Sequence, residues 1–486
     1  MGKSKLKPKE LHFLKSKGVF DIAAICREAN IILRSQRVTK EELLEYIINT
    51  LEMPEKTDAD NRFKSLVGYL QTKNYQPNTQ SEGNDIKGDV LLRKPLTYTI
   101  YGAEGIEPGA IEQMENAMSL PITLAGALMA DAHEGYGLPI GGVLATTGNV
   151  VIPYAVGVDI ACRMCMSVFP IKSDIIRTKS EMLSQILFRT TIFGVGSKNK
   201  NHLDTSLFDR KEWSSTMVIK RFRDLAYSQL GTSGGGNHFV EWGELRITAK
   251  NPLLGLEPGN YLALLSHSGS RGFGSEIALH YSKLAMERVK LPGKARHLAW
   301  LDLNCQEGQE YWLAMNLAGD YASANHHEIH AKVARELNEH PLKMIENHHN
   351  FAWAEILPDG RKAIVHRKGA TPAHPNSLGI IPGSMVHPAF IVMGKGNGAS
   401  LSSASHGAGR RMSRSKAMQS FTQSDLKFVL DKWGVELIGG GLDEVPMAYK
   451  DIETVMGYQS DLVEVLAKFF PKIVRMANPE RKHRWE

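Results

Sequence analysis

A set of short loops carries most of the reactive side chains of this chain. Asp131 and His133 lie in Asp131-Ala132-His133-Glu134-Gly135-Tyr136-Gly137. Asp159 and Cys162 lie in Gly157-Val158-Asp159-Ile160-Ala161-Cys162, and His238 in Gly234-Gly235-Gly236-Asn237-His238-Phe239. His267 follows in Ser266-His267-Ser268-Gly269-Ser270-Arg271-Gly272, and His348 and His349 precede Asn350. His406 stands in Ser402-Ser403-Ala404-Ser405-His406-Gly407-Ala408-Gly409-Arg410-Arg411. A carboxylate, a thiol and several imidazoles form a ligand set for transition-metal ions. Small residues around His406 let backbone N–H groups approach a ligand, and the arginines beside it favour phosphate. Metal ions neutralise phosphate charge while such donors hold its oxygens. Taken singly, each histidine is better read as a core residue or a loop hydrogen-bonder. Several of them, each in its own Gly/Ser/Asn loop, are hard to ascribe to packing alone. His406 then reads as a phosphate ligand or a nucleophile.

Competing motifs are weaker. Cys162 and Cys165 have the Cys-x2-Cys spacing of zinc sites. Only one such pair exists, and Met164 and Met166 flank Cys165. On a strand, side chains three apart face opposite sides, so both sulfurs are not expected on one ion, and Cys165 is expected in a strand core. There is no phosphate-binding P-loop and no G-x-S-x-G nucleophile elbow. Gly394-Lys395-Gly396-Asn397-Gly398 reads as a hairpin loop. His366-Arg367-Lys368-Gly369-Ala370-Thr371 reads as a compact basic loop, either a solvated turn or a clamp for phosphate.

The elements that must position these loops follow from composition and periodicity. With 486 residues, 42% hydrophobic and 23% charged, the chain has room for a large core and more than one domain. A net charge of +6 is compatible with a nucleic-acid partner without requiring one. Four scattered cysteines exclude a disulfide framework. The first residues lack the apolar run of a signal peptide, and no stretch approaches the roughly twenty apolar residues of a membrane span. A reduced, cytoplasmic protein with no membrane partner is therefore expected. Ile32, Leu33, Leu43, Leu44, Ile47, Ile48 and Leu51 recur at helical spacing, and Thr39 with Glu42 predicts a capping box. These predict a helical N-terminal domain over residues 1–75, followed by a linker over 76–97. The fold class expected for residues 98–486 is α+β (mixed α/β). Strands are predicted at Gly142–Thr146 and Tyr261–Leu265, and helices near 179–189, 307–337 and 424–433.

Nine of the motifs, DAHEGYGLPIGG, GVDIAC, GGGNHFVE, HSGSRG, HHN, HRKGAT, PGSM, SHGAGRRMSR and PMAYKD, occur in the order seen in the RtcB family of RNA-splicing ligases. The chain resembles that family over roughly residues 98–476. The resemblance implies an RtcB-like catalytic body. It also implies joining of an RNA 3′-phosphate, or an opened 2′,3′-cyclic phosphate, to a 5′-hydroxyl in RNA repair or tRNA splicing. GTP and two Mn²⁺ ions would serve the reaction, RNA would be the partner, and an accessory activator stays open. The matching positions make His406 the residue that takes GMP, with Asp131 orienting or deprotonating the 5′-hydroxyl. They make Asp159, Cys162, His238, His267 and His349 the dinuclear metal set, with Cys162 as the bridge. The guanylate pocket would draw on Asn237, His238, Phe239, Val240, Glu241, His349, Asn350, Pro382, Gly383, Ser384, Met385, His406, Gly407, Ala408, Gly409 and Arg410. Arg367, Lys368 and Arg410 would face RNA or nucleotide phosphate.

Three positions depart from the family pattern. Arg163 stands where glycine usually follows the cysteine, and is expected to alter RNA access or bind phosphate. Ala389 stands near a serine position, and Met476 where a guanine-contacting lysine is expected. Arg475 would face away from Met476 on a strand. Two other functions compete: an enzyme that guanylylates RNA 3′-phosphates without sealing them, and an RNA-binding regulatory protein with a relic site. Five intact metal ligands argue against the relic.

Overall fold

Alternating apolar residues build the sheets of this protein. The computed structural model describes Leu6, Leu11, Cys26, Ala29, Asn30, Ile32, Leu33, residues 38–52 and residues 92–478. The chain divides into two compact units, Met1–Asp85 and Ile86–Glu486. In the first unit, helix α1 (Lys40–Glu52) opens with the expected capping box. The Thr39 N–H donates to Glu42 at 2.7 Å, and the Glu42 N–H to the Thr39 hydroxyl at 3.2 Å. Leu43 and Ile47 are buried with Ile32 and Leu33, whereas Ile48 is exposed. Residues 76–91 of the expected linker lie outside the described residues.

The second unit is a mixed α+β body. One sheet orders β1 (Thr99–Ile100), β2 (Thr123–His133), β3 (Ile140–Thr147), β9 (Lys362–Lys368) and β8 (Asn350–Ile356). The larger sheet orders β11 (Leu378–Ile381), β12 (Ala389–Gly394), β15 (Val463–Met476), β5 (Phe239–Ile247), β6 (Gly259–Ser268), β4 (Arg163–Lys172) and β7 (Lys343–His348), with β14 (Glu436–Ile438) beside β15. A short pair, β10 (Ala370–Pro372) and β13 (Ser403–Ser405), carries the loop of His406. The two-residue period sets the faces of the larger sheet. Met164, Met166 and Val168 of β4 pack with Leu245, Leu265 and Ile391 on one face. Phe169, Val240, Trp242 and Leu264 point the other way, onto helices α3 (Ser180–Thr190) and α6 (Gln306–Leu337). Helix α2 (Pro108–Met118) lies on β2, and α4 (Met217–Gln229) packs on α5 (Arg271–Arg288). Helices α7 (Arg414–Ser420) and α8 (Gln423–Trp433) follow the His406 loop. The predicted strands at 142–146 and 261–265 fall in β3 and β6, and the three predicted helices are α3, α6 and α8.

Two loop readings are corrected. Residues 394–398 do not close a hairpin: they carry the chain from β12 to β13, in a different sheet, and Asn397 caps a short 3-10 turn there. Residues 362–368 form strand β9, buried between β3 and β8, so His366-Arg367-Lys368 is no solvated turn. The polar spacing looks loop-like, but each side chain has an internal partner. His366 accepts from the Ile152 N–H and contacts the Leu144 carbonyl.

Candidate functional site

Strand register gathers residues far apart in sequence at one end of the larger sheet. Arg163 pairs with His348, Met164 with His267, and Phe239 also with His267. Cys162, His238 and His349 therefore meet His267 where β4, β5 and β7 meet their loops. Ala161 takes a left-handed conformation with φ 57°, and the Ala161 N–H donates to the Asn350 carbonyl at 2.7 Å, which seats Cys162.

Cys162 Sγ lies 3.1 Å from His267 Nε2 and 3.6 Å from His238 Nε2. His238 Nε2 is 3.0 Å from Asp159, and His267 Nε2 is 3.3 Å from His349 Nε2. The other ring nitrogens face backbone carbonyls: His238 Nδ1 meets Ser233 at 2.7 Å and His267 Nδ1 meets Asn237 at 3.1 Å. That fixes the Nε2 atoms as bare lone pairs aimed at a shared space. Burial holds the His267 ring neutral, lowered to about 3. Burial, then the Asp159 charge, pushes the Cys162 thiol well above its usual range. Converging lone pairs around a thiol fit a divalent cation, which would displace the thiol proton. Cys162, His238 and His267 alone offer three ligand atoms within 4.8 Å of one another. His348 is turned away: its ring packs on Phe351 and Trp353. Cys165, as expected, does not join Cys162; it lies with His326 and His330 on the far face of the sheet.

A cavity of about 840 Å³ opens beside this cluster. His406 lines it, with its ring centroid 5.0 Å from that of His349. His406 Nδ1 is 2.6 Å from Asp131 Oδ2, and the same oxygen accepts the N–H groups of His406 at 3.0 Å and Gly407 at 3.3 Å. Burial opposes ionisation of Asp131, but the His406 ring holds its carboxyl below the usual range. With Nδ1 committed, Nε2 has no hydrogen-bond partner among the described residues. Glycine is required on both sides of this ring. A Cβ on Gly409 (φ 72°) would stand 2.1 Å from the Asp131 carbonyl, and one on Gly369 (φ 60°) 2.3 Å from Ile140.

Most of the expected pocket residues line this cavity: Asp159, Cys162, Asn237, Phe239, Glu241, His267, His349, Asn350, Pro382, Gly383, Ser384, Met385, His406, Gly407, Ala408, Gly409 and Arg410. Four expectations are corrected. Val240 does not line it, because alternation turns its side chain onto the opposite core. Asp131 is fully buried behind His406 and does not reach the cavity, so it positions that ring and has no access to a 5′-hydroxyl. Arg367 is fully buried and off the cavity wall, with each guanidinium nitrogen bonded internally: to Glu355 at 2.6 Å, and to Ser403 and Leu401. Arg163 turns away from the cavity into a buried pair with Glu346 at 2.9 Å and a bond to the Gly319 carbonyl. Arg410 lines the cavity, but its guanidinium is held by Glu444, Asp443 and Met412.

Lys368 is expected to face phosphate, whereas Arg414, His133, Lys450 and Arg271 stand in the motifs without an assigned role. Lys368 lies in the wall bound to the Tyr136 carbonyl, and burial lowers its amine to about 7. Arg414, the last residue of SHGAGRRMSR, pairs with Glu444 at 2.7 Å and reaches Asn237. His133 lines the wall, and burial above all lowers it to about 4. Lys450, in PMAYKD, binds the carbonyls of Ala130 and Ala132 on either side of Asp131. Arg271, in HSGSRG, stands close enough to Asp159 and Cys162 for its charge to act on both.

The family described as "tRNA-splicing ligase RtcB" matches residues 113–224 and 209–477. The RNA-splicing ligase RtcB of Escherichia coli K12 is 33% identical over 394 residues, covering 74% of this chain and 92% of the relative. The tRNA-splicing ligase RtcB of Methanococcus maripaludis is 31% identical over 465 residues, covering 81% and 95%. That of Nanoarchaeum equitans is 30% identical over 436 residues, covering 76% and 91%. No helix among the described residues is long and apolar enough to cross a membrane.

Proposed function

The chain belongs to the RtcB family of tRNA-splicing ligases, and from that premise we propose that it seals RNA ends through a guanylate carried on His406. The observation that carries the proposal is the Asp131–His406 contact on the wall of a cavity shared with the thiol–imidazole cluster. Asp131 fixes the Nδ1–H tautomer, so Nε2 presents a lone pair to the cavity. His406 Nε2 attacks the α-phosphorus of GTP. The N–P bond forms as the bond to the bridging oxygen breaks, and pyrophosphate leaves. An oxygen of the RNA 3′-phosphate then attacks that phosphorus and the N–P bond breaks, leaving the 3′-phosphate capped by GMP. The 5′-hydroxyl attacks the capped 3′-phosphorus, loses its proton, and expels GMP. A 2′,3′-cyclic end is first opened by water.

Asp159, Cys162, His238, His267 and His349 would hold two Mn²⁺ ions, which supply charge neutralisation and polarisation of phosphate oxygens. Lys368 and Arg414 are the cavity cations placed to meet phosphate, whereas Arg410 shapes the wall from behind. His133 faces the cavity and can exchange a proton there.

The test is covalent labelling. The protein is incubated with α-³²P-GTP and Mn²⁺, and a label that is acid-labile and alkali-stable marks an N–P bond. Label on the wild type and none on His406→Ala is the expected result; an unlabelled wild type would sink the proposal. Adding an RNA with 3′-phosphate and 5′-hydroxyl ends should yield sealed product. Capped ends alone would replace ligation by end-capping.

A further inference from the structure

One buried carboxyl stands in an apolar stretch of the cavity wall. Glu241 is 4% exposed and lines the cavity, yet its carboxyl makes no hydrogen bond or ion pair with any described residue. Around it the wall is built from Phe239, Met385, Ala389, Val474 and Met476. Phe239, Met385, Val474 and Met476 pack together. Glu241 pairs with Val474 across β5 and β15, and Met476 is the next residue of β15 on the same face. Arg475, between them, points away: it binds the Leu187 carbonyl and lies over Phe188 and Phe193. Among the described residues no cation of the cavity partners Glu241: Arg410 and Arg414 pair with Glu444, and Lys368 binds the Tyr136 carbonyl.

We infer that Glu241 acts as a neutral acid and makes this a purine site that accepts adenine as well as guanine nucleotides. The inference rests on the proposed nucleotidyl transfer to His406. A buried carboxylate without a cation carries a large desolvation cost, and burial alone pushes this carboxyl well above its usual range. An ionised carboxylate offers acceptors only. It fits the N1–H and N2–H₂ donors of guanine and repels the bare N1 of adenine. The neutral acid offers one donor and one acceptor. Its carbonyl takes the adenine N6–H while its hydroxyl donates to N1. Turned over, it takes the guanine N1–H and donates to O6. Both purines satisfy the group, so neither is excluded by a polar atom left unpaired, the effect that otherwise gives discrimination of roughly 10⁴-fold.

The experiment compares labelling of the full chain by α-³²P-ATP and α-³²P-GTP with Mn²⁺, as kcat/KM. The expected ratio is within about tenfold. Glu241→Gln keeps one donor and one acceptor and is expected to label with both nucleotides, while Glu241→Ala loses both. Met476→Lys supplies the missing cation, ionises Glu241, and is expected to favour GTP over ATP by more than about a hundredfold. Strong GTP labelling with ATP more than a hundredfold weaker in the wild type would overturn the inference and leave the proposed function standing. So would loss of GTP labelling in Glu241→Gln together with an unchanged ratio in Met476→Lys. Absence of label from every nucleotide is a different failure, that of His406 as the nucleophile.

Discussion

At the scale of single residues, the chemistry turns on which atom is committed and which is free. Asp131 takes three donors on one oxygen, and all three belong to His406 and Gly407. It therefore sets the tautomer and the position of the ring together. Replacing it by asparagine keeps the shape, but the amide can turn its NH₂ toward the ring and favour the wrong tautomer. Asp131→Asn should slow labelling of His406 by roughly 10²–10⁴-fold while leaving nucleotide affinity within a few-fold. Equilibrium binding alongside single-turnover labelling separates the two; weakened binding at an unchanged labelling rate would contradict the positioning role. The candidate ligand types were legible in the sequence, and the structure brings Cys162, His238 and His267 together, because Cys and His in small-residue loops have few other uses. Burial was not. Arg367 and Arg163 look like phosphate binders in one dimension, and each is neutralised by a glutamate, Glu355 or Glu346, that no local pattern reveals. Conversely Arg414 and Lys368 sat inside quoted motifs, but only the folded wall distinguishes them from Arg410 and Arg367.

At the scale of elements, periodicity reported the long pieces well. The predicted helices near 307–337 and 424–433 match α6 and α8 within a residue or two. Register was not legible, since the pairing of β4 with β6 and β7 joins segments some hundred or more residues apart and is set by packing. Nor was the far face of that sheet. There Ser266 contacts His326 Nδ1 and His330 Nε2, each at 2.7 Å, Ser167 contacts His330 Nδ1 at 2.8 Å, and His326 Nε2 meets the Ser268 carbonyl at 3.2 Å. One consistent direction satisfies all four links: Ser167 donates to His330, His330 to Ser266, Ser266 to His326, and His326 to Ser268. His267 lies between Ser266 and Ser268 and faces the cavity. The network thus braces a proposed metal ligand from behind. Ser266→Ala breaks two links without touching the cavity. It should raise the Mn²⁺ concentration for half-maximal labelling by about tenfold. The rate at saturating metal should stay within about twofold. A Mn²⁺ titration that matches the wild type would show that the network is only packing.

At the scale of the whole molecule, buried neutral imidazole is the dominant electrostatic theme. Outside the proposed metal set, burial lowers His133 and His366 to about 4, His330 and His348 to about 3, and His326 well below its usual value. Between about 4 and 6.5 each is protonated in the unfolded chain but not in the folded one. The unfolded state binds more protons across that window, so stability is full above it and falls as pH drops. Each ring removes up to about 1.4 kcal/mol per pH unit. Denaturant midpoints should therefore fall steeply from pH 6.5 to 5; a flat profile would mean that water reaches these rings. All residues lining the cavity lie between Glu107 and Met476, within the second compact unit. The cradle of His406 has another consequence. Gly409 against Asp131 and Gly369 against Ile140 leave no volume for a methyl group, so the surroundings of the proposed nucleophile are closed to variation. Ala389 and Met476, by contrast, line the open space of the cavity. The fold thus splits its own evolvability: the proposed bond-making end is locked, while the proposed base end can drift one side chain at a time.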